Sequence, residues 1–212
     1  MRSNQELVEY LVRTGVLKTK AIIEAFEKVD RGIFVPREYK SEAYSDIPLP
    51  TKAGQTISQP SIVAMMTEAL RPYKNNVVLE VGTGSGYQAA ILAHVCKFVY
   101  TIERIRELYE FAGKNLKKAG IKNVKIILGD GSKGIPGKKF DRIIITAAAP
   151  EIPAPLLQQL KKPGILVAPV GTKYMQKLVR VEKKENGSLK YETLESVVFV
   201  PLVGEFGFKE EA

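Results

Sequence analysis

The sequence contains no tryptophan, one histidine and one cysteine among its 212 residues. Cys96 alone can neither close an internal disulfide nor build a cysteine-held metal cluster, so it reads as a small core hydrophobe and no metal site is expected. His94 stands in a helical pattern with no partner nearby in sequence, so helix packing or exposure accounts for it better than base catalysis. Ser58 lacks the G-x-S-x-G setting of a hydrolase nucleophile and would have only that histidine to recruit. No apolar run reaches the roughly 18 residues of a membrane span, and Met1 leads into the polar Arg2-Ser3-Asn4-Gln5 rather than a signal-peptide core. A cytoplasmic protein without a membrane partner is the expectation.

Long blocks of one charge sign are missing too. The formal charge of +9 and pI near 9.5 would favour an acidic partner such as nucleic acid. Yet bases and acids interleave, as in Glu103-Arg104-Ile105-Arg106-Glu107, which suits a solvated surface. No RNP-like cluster stands out among the tyrosines and phenylalanines to stack single-stranded bases. No stable nucleic-acid partner is expected.

With 45% hydrophobic and 26% charged residues, the chain has the balance of one globular α/β domain over 1–212. Within it, 1–58 reads as an N-terminal cap and loop and 59–212 as the core. Leu7, Leu11 and Val12, then Ile22, Ile23, Phe26 and Val29, recur at helical spacing and predict two short helices before Pro36. From Arg37 to Thr56 the prolines forbid a regular helix or central strand, and so long a loop is usually functional. Pro60 opens a helix that ends near Pro72. Apolar runs at 77–81, 98–102, 124–128, 143–146 and 165–170 predict buried strands, with helices near 88–95, 108–119 and 155–160 between them. Such alternation specifies β-α-β units wound on both faces of one parallel sheet. Closing strands are predicted at 177–182 and 196–201, with Asn186-Gly187 as a turn.

Gly82-Thr83-Gly84-Ser85-Gly86 lies between the first strand and its helix, where the carboxyl edge of an open sheet binds ligands. Its G-x-G-x-G spacing is not the dinucleotide G-x-G-x-x-G. Glu80, two residues earlier, would repel a pyrophosphate but suits the cationic methionine end of S-adenosylmethionine. Glu103 closes the second strand where an acid accepts from ribose hydroxyls, and Asp130-Gly131 follows the third, placed to border the adenine. Each acid alone could be a surface or capping residue; together they outline one elongated nucleoside.

The ordered segments Ala43 to Pro50, Gly54 to Pro60, Leu79 to Gln88, Thr101-Ile102-Glu103-Arg104, Gly129-Asp130-Gly131 and Phe140 to Pro150 resemble the protein-L-isoaspartate O-methyltransferase family. The Gly54 to Pro60 and Thr146 to Pro150 segments are the family-specific ones. Thr51-Lys52-Ala53 and Lys162-Pro163-Gly164-Ile165 depart from its pattern, both in loops. The resemblance implies a doubly wound, seven-stranded, Rossmann-like class I methyltransferase sheet with helices on both faces, a small N-terminal helical cap, and an exchanged order of the last two strands. It implies methyl transfer from S-adenosylmethionine to the α-carboxylate of L-isoaspartyl residues in damaged proteins and peptides, leading to succinimide formation. The alternative is a nucleic-acid-associated or small-molecule methyltransferase on the same fold. The residues implied are Ser58 as catalytic; Asp46, Thr56 and Ser58 at the substrate; and Glu80, Gly82, Gly84, Ser85, Gly86, Glu103, Arg104, Asp130 and Gly131 at the cofactor. Spacing alone makes Ser58 a helix N-cap, with amides of that helix start free to hold an anion.

Overall fold

Val77-Val78-Leu79-Glu80-Val81 is apolar but for one acid, the composition of a strand covered on both faces. In the computed structural model, which describes residues 1–209, it is the third strand of a seven-stranded sheet. The strands are β1 (Leu49–Pro50), β2 (Thr56–Ile57), β3 (Val77–Val81), β4 (Phe98–Glu103), β5 (Val124–Leu128), β6 (Phe140–Ile145), β7 (Leu160–Gly171), β8 (Gln176–Lys183) and β9 (Leu189–Val197). The helices are α1 (Asn4–Arg13), α2 (Lys20–Lys28), α3 (Pro60–Leu70), α4 (Tyr87–Val95), α5 (Arg106–Lys118) and α6 (Ala154–Gln159).

The sheet runs β5-β4-β3-β6-β7-β8-β9; β5 to β7 are mutually parallel, and β8 and β9 close it antiparallel, in chain order. The chain lays β4 and β5 to one side of β3, then crosses to lay β6 on the other. Strand order therefore reverses at β3 and β6, and a crevice opens above their carboxyl ends, the usual ligand site of such sheets. Strand alternation divides the core in two. Val78, Val99 and Ile144 face α3 and α4, with α1 and α2 packed outside them, while Leu79, Val81, Ile143 and Ile145 face Leu156 of α6 and Leu202. No helix among the described residues is long and apolar enough to cross a membrane.

Three segments differ from the sequence expectation, and the first is Lys162 to Ile165, expected as a loop, which lies within β7. The loop at 37–56 carries a short 3-10 turn at Arg37–Glu42 and the β1–β2 hairpin. The last strand is β9 rather than 196–201. Its exposed Lys190, Glu192 and Glu195 hide it as a strand while blunting the sheet edge. From Val198 the chain leaves the edge and returns to Ala148, whose amide donates to the Val200 carbonyl (2.8 Å) and whose carbonyl accepts from Leu202 (2.7 Å). Phe199 is thus buried in the first core and Leu202 in the second, with Val200 half-buried and Pro201 exposed between them, and this apolar run gives the same hydrophobic signature as a strand.

Candidate active site

The turn after β3 is built from both neighbouring strands. The amides of Gly82 and Thr83 donate to the Ile102 carbonyl (2.9 and 3.3 Å), and the Thr83 hydroxyl meets that of Thr101 at 2.7 Å in a buried pair. Gly84 has φ +55°, and a Cβ added there would find nothing within 4 Å, so a ligand can reach this backbone unhindered. Gly86 serves packing instead, since a Cβ there would press within 3.3 to 3.4 Å of Leu116 and Ala112 on α5.

The three acids have different tasks. Glu80 is fully buried, and among the described residues neither of its carboxylate oxygens has a hydrogen-bond partner. Burial lifts its carboxyl from the ordinary 4.5 to about 8, with the adjacent Thr101 hydroxyl opposing that rise and the Glu103 charge adding to it. A carboxylate left this way calls for a cation or donor from a ligand. Glu103 accepts from the amides of Gly84 (2.9 Å) and Ile105 (3.0 Å), so it ties the glycine turn to the end of β4. Asp130 looks elsewhere: it accepts from the Ser132 amide (2.9 Å) and hydroxyl (2.6 Å) and from the Glu205 amide (2.9 Å). Partial burial favours its neutral form, but these bonds and Lys133 outweigh that and hold it below its ordinary range.

Around the turn lies a cavity of about 1130 Å³, measured to its open mouth. Its walls include Glu80, Gly82, Gly84, Ser85, Glu103, Arg104 and Gly131, and also Thr56, Ser58, Thr146 and Val200. A second cavity of about 960 Å³ has a mixed wall, with Pro48, Ile62, Met175, Val197, Val198 and Phe199 apolar and Gln59 and Ser196 polar. The two share Thr56, Ser58, Thr146 and Val200. Ser58 and Thr56 therefore stand at a junction between chambers. Thr146 is anchored there by donating to the carbonyls of Gly82 (2.5 Å) and Val81 (3.1 Å).

Of the residues singled out from sequence, nine line the first cavity: Thr56, Ser58, Glu80, Gly82, Gly84, Ser85, Glu103, Arg104 and Gly131. Gly86, Asp130 and Asp46 do not. Asp46 caps α3 from a distant loop, accepting from the Ser61 amide (2.8 Å) and the Gln59 side chain (3.2 Å). Ser58 is accordingly not the N-cap; Gln59 occupies that position and makes no side-chain cap. The amides of that helix start are also taken, Ser61 by Asp46 and Ile62 and Val63 by the Gln59 carbonyl, so they do not present a free anion site. Sequence reasoning passed over Thr146, whose hydroxyl interrupts the apolar run of β6 at its carboxyl end, and Val200, read as part of a strand. It also passed over Arg31, which lies wholly buried behind Ser58.

Comparison with known proteins points to one family. The family model of protein-L-isoaspartate(D-aspartate) O-methyltransferases matches residues 2–207. A Protein-L-isoaspartate O-methyltransferase of Pyrococcus horikoshii is 53% identical over 208 residues, covering 96% of this chain and 94% of that one. The enzyme of the same name from Methanopyrus kandleri is 48% identical, covering 99% and 95%. Among solved structures, a protein-L-isoaspartate O-methyltransferase from Plasmodium falciparum in complex with S-adenosyl-L-homocysteine superposes with a TM-score of 0.83 at 27% identity, covering 96% of this chain and 99% of that one.

Proposed function

The chain belongs to the protein-L-isoaspartate(D-aspartate) O-methyltransferase family, and on that premise we propose that it is a protein repair enzyme. It transfers a methyl group from S-adenosylmethionine to the α-carboxylate of L-isoaspartyl residues in damaged proteins and peptides, and the ester then closes to a succinimide. The observation that carries the reading is the pair of cavities meeting at Ser58. We assign the cofactor to the first, held by Glu80, Glu103, Arg104, Gly131 and the turn from Gly82. The unpartnered Glu80 oxygens and the open space over Gly84 fit its cationic amino-acid end and its close approach. Bound S-adenosylmethionine supplies a sulfonium methyl as electrophile.

The chain's own work is positioning. An α-carboxylate titrates near ~3.5 and arrives ionised, so no strong base is required. The Ser58 hydroxyl, which has no partner of its own among the described residues, can donate one hydrogen bond that aims the carboxylate without protonating it. Orientation of this kind can supply ~7 to 11 kcal/mol of barrier reduction. The apolar residues of the second cavity, Ile62, Val197, Val198 and Phe199 among them, displace part of the water around an anion whose charge is lost on methylation. Asp46 contributes through the α3 cap, one step back from the substrate, and Thr56 shapes the junction. Residues 1–58 and 59–212 act as one unit, in which the first part supplies the reactive loop. The cytoplasm is the proposed place of action, with isoaspartyl proteins as partners and no stable nucleic-acid partner.

The test is labelled-methyl transfer to two peptides that differ only in Asp against isoAsp. Transfer to the isoAsp peptide alone is expected. Equal labelling of both, or labelling of neither by protein that binds S-adenosylhomocysteine, would refute the reading.

A further inference from the structure

Arg31 is 0% exposed, yet its guanidinium has no carboxylate paired with it among the described residues. It donates instead to four backbone carbonyls: Ala43 (2.7 Å), Ser45 (3.4 Å), Ile47 (3.2 Å) and Ser58 (3.2 Å). Burying an arginine this way is costly, and burial accordingly lowers its pKa, with Tyr87 and Asp46 opposing. Three of the carbonyls come from alternate residues of one loop, which wraps around the cation. The fourth belongs to Ser58, which lines both cavities. Asp46, inside that wrapped loop, also grips the next turn through Ser61 and Gln59.

We propose that Arg31 is a positioning residue, whose planar fork joins the loop at Ala43 to Ile47 to the Ser58 carbonyl and so sets the Ser58 hydroxyl at the junction of the two cavities. The proposal rests on the function assigned above. Among the described residues no hydrogen bond of the cofactor turn involves Arg31, whose one tie to that side is the charge felt by the Tyr87 hydroxyl: Gly82, Thr83 and Gly84 are held by β4 and Glu103. Its loss should therefore divide the two half-sites, loosening the Ser58 side and sparing the other. A lysine cannot replace it, since a point charge on a flexible stem does not reach carbonyls spread around a rigid plane.

The experiment compares wild type, Arg31→Lys and Arg31→Ala at saturating S-adenosylmethionine and isoaspartyl peptide, with kcat referred to folded protein. Displacing a reacting group by ~1 Å costs ~10²-fold, and a kcat drop of that order in both variants is expected, with S-adenosylhomocysteine affinity unchanged. Unchanged kcat per folded molecule would overturn the proposal, even with a lowered Tm. An affinity for S-adenosylhomocysteine falling in step with kcat would overturn it too. Should Arg31→Ala fail to fold, Arg31→Lys decides, because it keeps the buried stem and charge. Amide exchange with S-adenosylhomocysteine bound separates this proposal from the assigned function. If wild type methylates no isoaspartyl peptide, that function fails. Faster exchange in Arg31→Lys confined to residues 43–58 still supports Arg31, and its absence overturns it.

Discussion

The buried carboxyl of Glu80 makes cofactor binding a proton exchange. With its pKa raised to about 8, roughly nine in ten molecules of the empty protein carry the proton at pH 7. A cationic amino-acid end brought against the two unpartnered oxygens favours the ionised form, so binding should expel about 0.9 proton at pH 7. Calorimetric titration with S-adenosylhomocysteine in buffers of different ionisation enthalpy reads that number directly. Affinity should also climb about tenfold per pH unit from pH 6 towards 8 and then level off. Without ligand, folding takes up the proton, so the stabilising contribution is whole below 4.5 and is lost as pH rises through about 8. At ~1.4 kcal/mol per pH unit the whole interval is worth ~5 kcal/mol, an upper bound that entering water would reduce. Glu80→Gln should abolish both the proton release and this part of the stability profile. A wild-type heat of binding independent of buffer, or the same proton count in Glu80→Gln, would refute the reasoning.

Glu103→Ala removes the acceptor for the Gly84 and Ile105 amides as well as any ribose contact, and should weaken cofactor affinity by at least ~1.5 to 3 kcal/mol by calorimetry. Gly84→Val adds bulk on the open side of the turn, so the variant should melt cooperatively yet bind no S-adenosylhomocysteine. Ser58→Ala should lower isoaspartyl methylation by ~10 to 1000-fold while leaving Tm and cofactor affinity in place, because Ser58 caps nothing. Asp46→Ala should show the complementary pattern: ~1 kcal/mol of stability lost to denaturant with the α3 cap, and slower turnover following from the displaced Ser58.

What was legible in the sequence followed from local chemistry. Apolar runs broken by turn residues located β3 to β6, and the glycines with Glu80 and Glu103 marked the cavity, because each stands at the carboxyl end of one of those strands or in the turn after it, a place the run itself reveals. What escaped depends on groups far apart. Asp46 lies 15 residues from the amide it caps, and Glu68 on α3 accepts from the amides of Lys18 and Thr19 (2.8 Å each) at the start of α2. Neither helix carries its cap beside it, so the usual signal was missing or, at Ser58, misleading. Arg31 is one of 32 lysines and arginines, and nothing local in the sequence shows that carbonyls from four later residues converge on it. Asp130 likewise accepts from the amide of Glu205, 75 residues away, a contact that no local signal shows.

The segment that returns from β9 to Ala148 gives Val200 to the walls of both cavities. Its far end is fixed by Asp130 and by the Ser132 hydroxyl, which accepts from the Phe206 amide at 3.0 Å. A wall common to two ligands makes their affinities thermodynamically linked. Whatever free energy the nucleoside spends or gains in settling this segment is felt by the peptide, and the peptide must alter nucleoside affinity by the same factor. The sign of that linkage, read from S-adenosylhomocysteine affinity with and without peptide, decides whether the spent cofactor leaves more readily before or after the methylated chain.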